Sequence, residues 1–303
     1  MTTVVNIQGQ IVPPAEAAVS VFDRGFLYGD SVYEVVRTYR QEPFELERHL
    51  ARLDRSAARL GLGLPWDGRR TREEILRTLA ASQGEDPPEE GTAPWNAGQR
   101  SLRVIMTRGC GELELDPASA RDPLAIVMAS PLRAPKQVSY REGVACRIVG
   151  VRHGAKGDAD TTAKTGAHLS NVLATREARL LGAHEAFLLD REGLVTEGAS
   201  SNVFLVRGGR ILTPPLAVGI LEGVTRGIVI ELAREAGIEV GEGSLRVEDL
   251  TAADEIFITS TAREVLPVTT LDGRVVRSGQ VGEVTTRLHA LFRARADGAS
   301  RAR

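Results

Sequence analysis

Residues 197–226 read EGASSNVFLVRGGRILTPPLAVGILEGVTR. Glu197 sits on a turn ahead of a strand centred on Asn202-Val203-Phe204, a second strand runs into Thr213-Pro214-Pro215, and Gly223-Val224-Thr225-Arg226 opens a helix. Strands and helix in such close succession predict a mixed α and β domain.

The alternation continues on both sides. Upstream lie the strand-like ACRIVGV (145–151), a helical pattern over His168–Leu181 and the strand-like EAFLLD (185–190); downstream come a helix over Val224–Ala236, the strand EIFITS (255–260) and a helical run over Ser278–Arg295. Nearer the N-terminus, Val4–Val12 reads as a hairpin around IQGQ and Ser31–Tyr39 (SVYEVVRTY) as a strand. The period then changes. Leucines 46, 50, 53 and 60 share one helical face with arginines crowding the other, and a second helix covers Arg70–Ala81. SQGEDPPEEGTAPWNAGQR (82–100) has the Pro, Gly and acid of an exposed loop, and Leu102–Thr107 and Leu124–Ser130 read as buried strands. The prolines and polarity of PLRAPKQVSYREG (131–143) mark a linker. The expected organisation is α+β (mixed α/β): a small domain over 1–132, a linker over 133–143 and a larger domain over 144–303, whose basic tail, RARADGASRAR (293–303), is expected to be solvated.

Composition restricts the function classes. The 303 residues are 42% hydrophobic and 26% charged, with 38 Lys+Arg against 40 Asp+Glu, so a basic nucleic-acid footprint is missing and no nucleic-acid partner is expected. Cys110 and Cys146 stand outside any CxxC, which fits a reducing cytoplasm, and no apolar run has the length of a membrane helix or the layout of a signal peptide. The five histidines, at 49, 153, 168, 184 and 289, have no metal-ligand spacing; no metal is expected, and satisfied or exposed side chains account for them. GDADTTAKT (157–165) superficially resembles a phosphate loop, but Ala163 stands where the glycine before the lysine is required.

At Glu197, Ala199, Asn202, Val203, Phe204, Ile211, Thr213, Leu221, Gly223, Val224 and Arg226 the opening stretch resembles the signature of the class IV (fold type IV) pyridoxal-phosphate aminotransferases. The blocks FDRGFLYGDSVYEVVRTY, RHLARLDRSA, AKTGAHLSNVLATREA and FITSTAREVLPV extend the resemblance, in family order, from about Val4 to Val275. It implies pyridoxal 5'-phosphate as cofactor, with Lys164 holding it as a Schiff base and shuttling the proton; a desolvated amine suits both tasks. It implies that Glu197 faces the pyridine nitrogen and keeps it protonated, and that Arg52, the Gly223-Val224-Thr225 turn and Thr261 bind the phosphate.

For the substrate, the family's marks are mixed. Tyr33, Val35 and Arg37 resemble the D-amino-acid enzymes, whose Arg-x-His pair is absent from CGELELD (110–116); Arg103 and Thr261-Ala262 resemble the branched-chain type, but Ser101 and Leu169 replace its tyrosines. Tyr33, Arg37, Arg103 and Arg108, with Thr261 and Ala262, are the candidates for carboxylate binding. The activity implied is ping-pong transfer of an amino group between an α-amino acid and a 2-oxoacid. The alternatives are an aminodeoxychorismate lyase, for which Val35 occupies the place of a proton-donating threonine, and a pyridoxal-phosphate binder without turnover. The resemblance also implies a homodimer whose site a neighbouring loop completes, with Gly109–Asp116 and SQGEDPPEEG (82–91) as the loop candidates.

Overall fold

The structure, a computed structural model, describes residues 3–82, 89–152 and 162–299. The chain divides into two compact units: residues 1–90, 95–133 and 163–168 form the first, and residues 91–94, 134–162 and 169–303 the second.

In the first unit the elements are β1 (Val4–Ile7), β2 (Gln10–Val12), α1 (Arg24–Tyr28), β3 (Ser31–Tyr39), β4 (Glu42–Pro43), α2 (Leu46–Arg59), α3 (Gly68–Ala81), β5 (Arg100–Thr107) and β6 (Ala125–Pro131). The strands make one antiparallel sheet in the order β2-β1-β6-β5-β3-β4. Period-two alternation divides β3 into two faces. Val32 and Val36 join Leu50 and Leu53 of α2, Ile75 of α3 and Leu102 of β5 in the core, while Tyr33, Val35 and Arg37 take the other face. Helix α2 buries more than its leucines: His49, Arg52 and Ser56 are buried beside Leu46, Leu50 and Leu53, so Arg52 leaves the exposed arginine face expected of it. Asp67 caps α3 by accepting from Arg70 N at 2.7 Å. Residues 83–88 of the expected loop lie outside the described residues.

The second unit contains α4 (Gln137–Glu142), β7 (Val144–Arg152), α5 (Leu169–Leu180), β8 (Glu185–Leu189), β9 (Val195–Gly198), β10 (Asn202–Arg207), β11 (Arg210–Thr213), α6 (Val224–Glu235), β12 (Val240–Glu242), α7 (Val247–Thr251), β13 (Glu255–Ser260), β14 (Glu264–Leu271), β15 (Arg274–Val275) and α8 (Glu283–Ala299). Its mixed sheet runs β12-β11-β10-β13-β14-β7-β8-β9, with β15 beside β14. The central strands are buried on both faces, which is why NVFLV and EIFITS read as apolar runs rather than alternating ones; Phe204 and Phe257 stack across them at 4.8 Å.

Three expectations change. The stretch expected to be linker holds α4, whose Tyr140 is buried and donates to Arg263 O at 3.2 Å. The basic tail is helical as far as Ala299 and carries ion pairs: Arg293 donates to Glu264 at 2.9 Å and Arg295 to Glu231 at 2.9 Å. Its residues 300–303 lie outside the described residues. Finally, residues 163–168 belong with the N-terminal strands although β7 and α5, on either side in the chain, belong to the second unit. Among the described residues no helix is long and apolar enough to cross a membrane.

Leu53, fully enclosed between β3 and α3, sets a stability test. Leu53→Ala is expected to cost about 2–5 kcal/mol in urea unfolding, whereas Leu60→Ala, at the half-buried end of the same helix, costs less than half of that.

Candidate active site

Lys164 is placed by backbone pairing. The strap 163–168 runs antiparallel along the edge of β3: Tyr33 N donates to Lys164 O at 3.0 Å, Gly166 N donates to Ser31 O at 2.9 Å, and Lys164 N donates to the buried Ser56 Oγ of α2 at 3.0 Å. Gly166 is required there, because a Cβ would collide with Ser31 Oγ. The half-buried Lys164 side chain then lies with Nζ 4.4 Å from the centroid of the Tyr33 ring, and Arg103 of β5 approaches the same ring at 5.1 Å. Among the described residues no carboxylate pairs with the Lys164 amine.

On the opposite face of β3, Glu34 forms a buried network with α2. Its two oxygens accept from Arg52 Nε at 2.6 Å and Arg52 Nη2 at 2.7 Å, and Oε2 also meets His49 Nδ1 at 2.8 Å. Burial by itself would raise the Glu34 pKa; the Arg52 charge and the hydrogen bonds from Arg52 and His49 outweigh it and hold the carboxyl at about 2. Burial pushes the His49 pKa down. Arg52, expected at the phosphate, is thus a guanidinium fixed by a bidentate carboxylate.

Two other arginines have partners that the sequence did not disclose. Arg37 is buried, donates to Asn96 at 2.9 Å and packs 4.2 Å from the Tyr39 ring. Arg108 donates to Asp30 at 2.7 Å and to the carbonyls of Leu60 and Gly61 at 2.9 Å, closing the C-terminus of α2. Both are candidates for the substrate carboxylate, and each also ties elements of the first unit together. Asp30 also accepts from Arg24 at 3.0 Å, and Arg24 donates to the carbonyls of Glu114 and Leu115 at 2.9 Å, which holds the loop after β5.

In the second unit, Glu197 lies one residue before the end of β9, with Oε2 accepting from Asn202 Nδ2 at 3.3 Å and from Leu221 N at 3.2 Å. Asn202 also donates to Leu221 O at 3.1 Å, so the strand-borne amide links the acid to the turn before α6. Gly223 is needed at the helix entry because a Cβ would collide with Asn202 Oδ1. Helix α6 starts there without a side-chain cap, Thr225 in its first turn is buried, and Thr261 and Ala262 are half-buried on the turn between β13 and β14. Glu185, buried in β8, accepts from Ser200 at 2.8 Å, Ser201 at 3.1 Å and Arg263 at 3.0 Å, fixing that turn's neighbour.

The profile described as Amino-transferase class IV matches residues 31–271. The chain belongs to the class IV aminotransferase family. It is a transaminase with the fold type IV architecture. A protein of Methanocaldococcus jannaschii described as a putative branched-chain-amino-acid aminotransferase is 38% identical over 289 residues, 95% of each chain. The D-alanine aminotransferase of Bacillus licheniformis is 33% identical over 281 residues, 93% of each. The branched-chain aminotransferase of the thermophilic archaeon Thermoproteus uzoniensis, solved with norvaline, has a TM-score of 0.86 and 32% identity, covering 97% of this chain and 95% of that one. Members of the class use pyridoxal phosphate.

The histidines of this aminotransferase are not all satisfied. His49 and His289 have carboxylate partners, but Nε2 of His168 and of His184 is buried without a hydrogen-bond partner among the described residues, and His153 lies outside them. Glu34, His49, Ser56 and Asn202 are the positioning residues that motif reading left without a role. Only Asn202 carried a signal, as a member of the signature.

Because the Glu34 pKa falls from 4.5 to about 2 on folding, its ionised form stabilises the protein above pH 4.5, and that contribution is lost as pH falls from 4.5 toward 2. Glu34→Gln is expected to lose about 3–5 kcal/mol near neutral pH, with the gap from the parent protein narrowing over that acid window in denaturant titrations.

Proposed function

We propose that this transaminase uses pyridoxal 5'-phosphate to move an amino group, in two ping-pong halves, between an α-amino acid of D or branched-chain type and a 2-oxoacid. The observation that carries the reading is the Lys164 amine, half-buried over Tyr33 and without a carboxylate partner among the described residues. Its amine, held by the strap over the Tyr33 ring rather than tied up in an ion pair, is placed to act as nucleophile and base. The donor set suits the cofactor, which when bound supplies an aldehyde for the amino group and a ring that withdraws electrons from the substrate carbon.

Lys164 holds the cofactor and, once displaced, removes and returns the substrate's α-proton at Nζ. Glu197, oriented by Asn202 and the Leu221 N–H, keeps a proton on the ring nitrogen. The N–H groups at the start of α6, at Gly223, Val224 and Thr225, would serve as donors to the phosphate, with Arg52 adding positive charge and Thr261 a hydroxyl. Tyr33, Arg103, Thr261 and Ala262 are assigned to the substrate, with Arg37 and Arg108, which also donate to Asn96 and Asp30, as further candidates. Val35 has no proton to donate in a lyase reaction.

We also assign a homodimer in the cytoplasm. Along α5, Leu169, Val172, Leu173 and Leu180 are 71%, 57%, 47% and 73% exposed, an apolar stripe with helical spacing that a second copy would cover.

Lys164→Ala is expected to lose the cofactor's visible band and to slow transamination by at least about 10²–10⁴-fold, with comparable rates in the variant overturning the assignment. Half-reactions with a panel of L- and D-amino acids are expected to be broad and modest in rate; one donor far ahead of the rest counts against that breadth. Light scattering is expected to give a dimer, and Leu173→Glu a monomer.

A further inference from the structure

Three nitrogen groups converge on one phenol ring in the first unit. The Tyr33 centroid lies 4.4 Å from Lys164 Nζ and 5.1 Å from the Arg103 guanidinium carbon, and the His168 imidazole stands edge-on to it at 4.9 Å with the planes at 88°. Burial lowers the His168 pKa, the neighbouring Lys164 and Arg103 lower it further, and among the described residues no carboxylate opposes them. Nε2 of His168 is nonetheless buried with no hydrogen-bond partner among the described residues. A buried polar nitrogen left unpaired is unfavourable, and native proteins seldom keep one unless something else supplies the partner.

We propose that His168 binds the substrate carboxylate: its Nε2–H donates to one carboxylate oxygen, Arg103 supplies the opposing charge, and the Tyr33 ring sets the distance from that carboxylate to the Lys164 amine. With the proton on Nε2, the missing partner accepts a hydrogen bond and lies close to the Arg103 guanidinium. A cationic group would be repelled by Arg103, and an apolar one would leave Nε2 unpaired. An amino acid carries its carboxylate on the same carbon from which Lys164 removes the proton, and a 2-oxoacid carries it on the carbonyl carbon to which that proton is returned. Delivery is local as well. His168 follows Lys164 by four residues on the same strap, whose pairing with β3 carries Nζ over Tyr33 and leads the chain to the imidazole at the ring's edge. The inference rests on Lys164 being the residue that works at the substrate's α-carbon.

The test compares holoenzymes. His168→Leu removes both ring nitrogens, and His168→Gln keeps an N–H close to the Nε2 position. The KM for a 2-oxoacid is expected to rise about tenfold to hundredfold in His168→Leu, with kcat changing less, and to recover most of the way in His168→Gln. The KM for an aldehyde acceptor, which has no carboxylate, is expected to stay within about twofold, since no hydrogen bond to a charged group is lost there. A readout independent of turnover, and of any variant, is the imidazole nitrogen-15 spectrum of the wild-type holoenzyme during an isovalerate titration, in which the His168 Nε2 resonance is expected to shift on saturation. An unchanged oxoacid KM in His168→Leu, a loss shared equally by the aldehyde, or a His168 resonance that does not move each overturns the proposal. If the wild-type enzyme transaminates no amino acid, it is the Lys164 reading that fails, and the isovalerate titration still decides the role of His168.

Discussion

The chemistry proposed for this aminotransferase depends on the register between a six-residue strap and the edge of β3. Two backbone hydrogen bonds, Tyr33 N to Lys164 O and Gly166 N to Ser31 O, fix which side of the strand meets the lysine. A slip of one residue would exchange the faces of β3 and put Glu34, rather than Tyr33, on the side that meets Lys164. An acid there would take the amine as an ion-pair partner; the Tyr33 ring, 4.4 Å from Nζ, confines it by packing instead. The collision that a Cβ at position 166 would make with Ser31 Oγ, and the close approach of Ala167 to Gly29, whose φ is 68°, show how little slack the strap has.

Three buried carboxylates, Glu34, Glu185 and Glu264, repeat one design. Each accepts from at least two donors of which one is an arginine: Arg52 with His49, Arg263 with two serines, and Arg293 with His289. Buried pairs of this kind add little net stability over an apolar equivalent, because desolvation offsets most of the attraction, yet losing one partner is costly. Their contribution is orientation. Arg52 cannot change rotamer without stranding Glu34, and Arg263 is tied to Glu185 beside the Thr261-Ala262 turn. A group fixed before its ligand arrives has no reorganisation left to do when charge develops, which is the usual advantage of a preorganised polar site.

Elements with a strict period were legible from sequence: β3, β5, α2, α3, α5 and α6 appear within a few residues of where periodicity and caps put them. Arginine was the weak point. Its long stem reaches carbonyls and carboxylates far away in sequence, so whether Arg37, Arg52 or Arg108 serves a ligand or the fold is decided by tertiary neighbours such as Asn96, Glu34 and Leu60. The α4 helix was missed because its six residues, QVSYRE, show no apolar stripe and follow Pro135; its anchor is the contact of Tyr140 with Arg263. Glycine requirements ran the other way: Gly223 in the signature was legible as a motif member, and the structure supplies the reason in Asn202 Oδ1.

The loop after β5 shows why fold and assembly need to be considered together. Arg24, itself buried, binds three successive carbonyls, of Glu114, Leu115 and Asp116, and thereby holds Leu113 and Leu115 at 71% and 79% exposure. A mobile loop could shed apolar side chains into its own backbone; this one is kept from doing so by a guanidinium that Asp30 orients from behind. Presenting leucines to water on a rigid support is unfavourable for an isolated chain, and it becomes favourable when a second copy covers them, because the ordering of the loop has already been met by the fold and only the apolar gain remains at association. Such a loop would suit the proposed dimer, with the Arg24–Asp30 pair setting how the leucines are presented to a second copy.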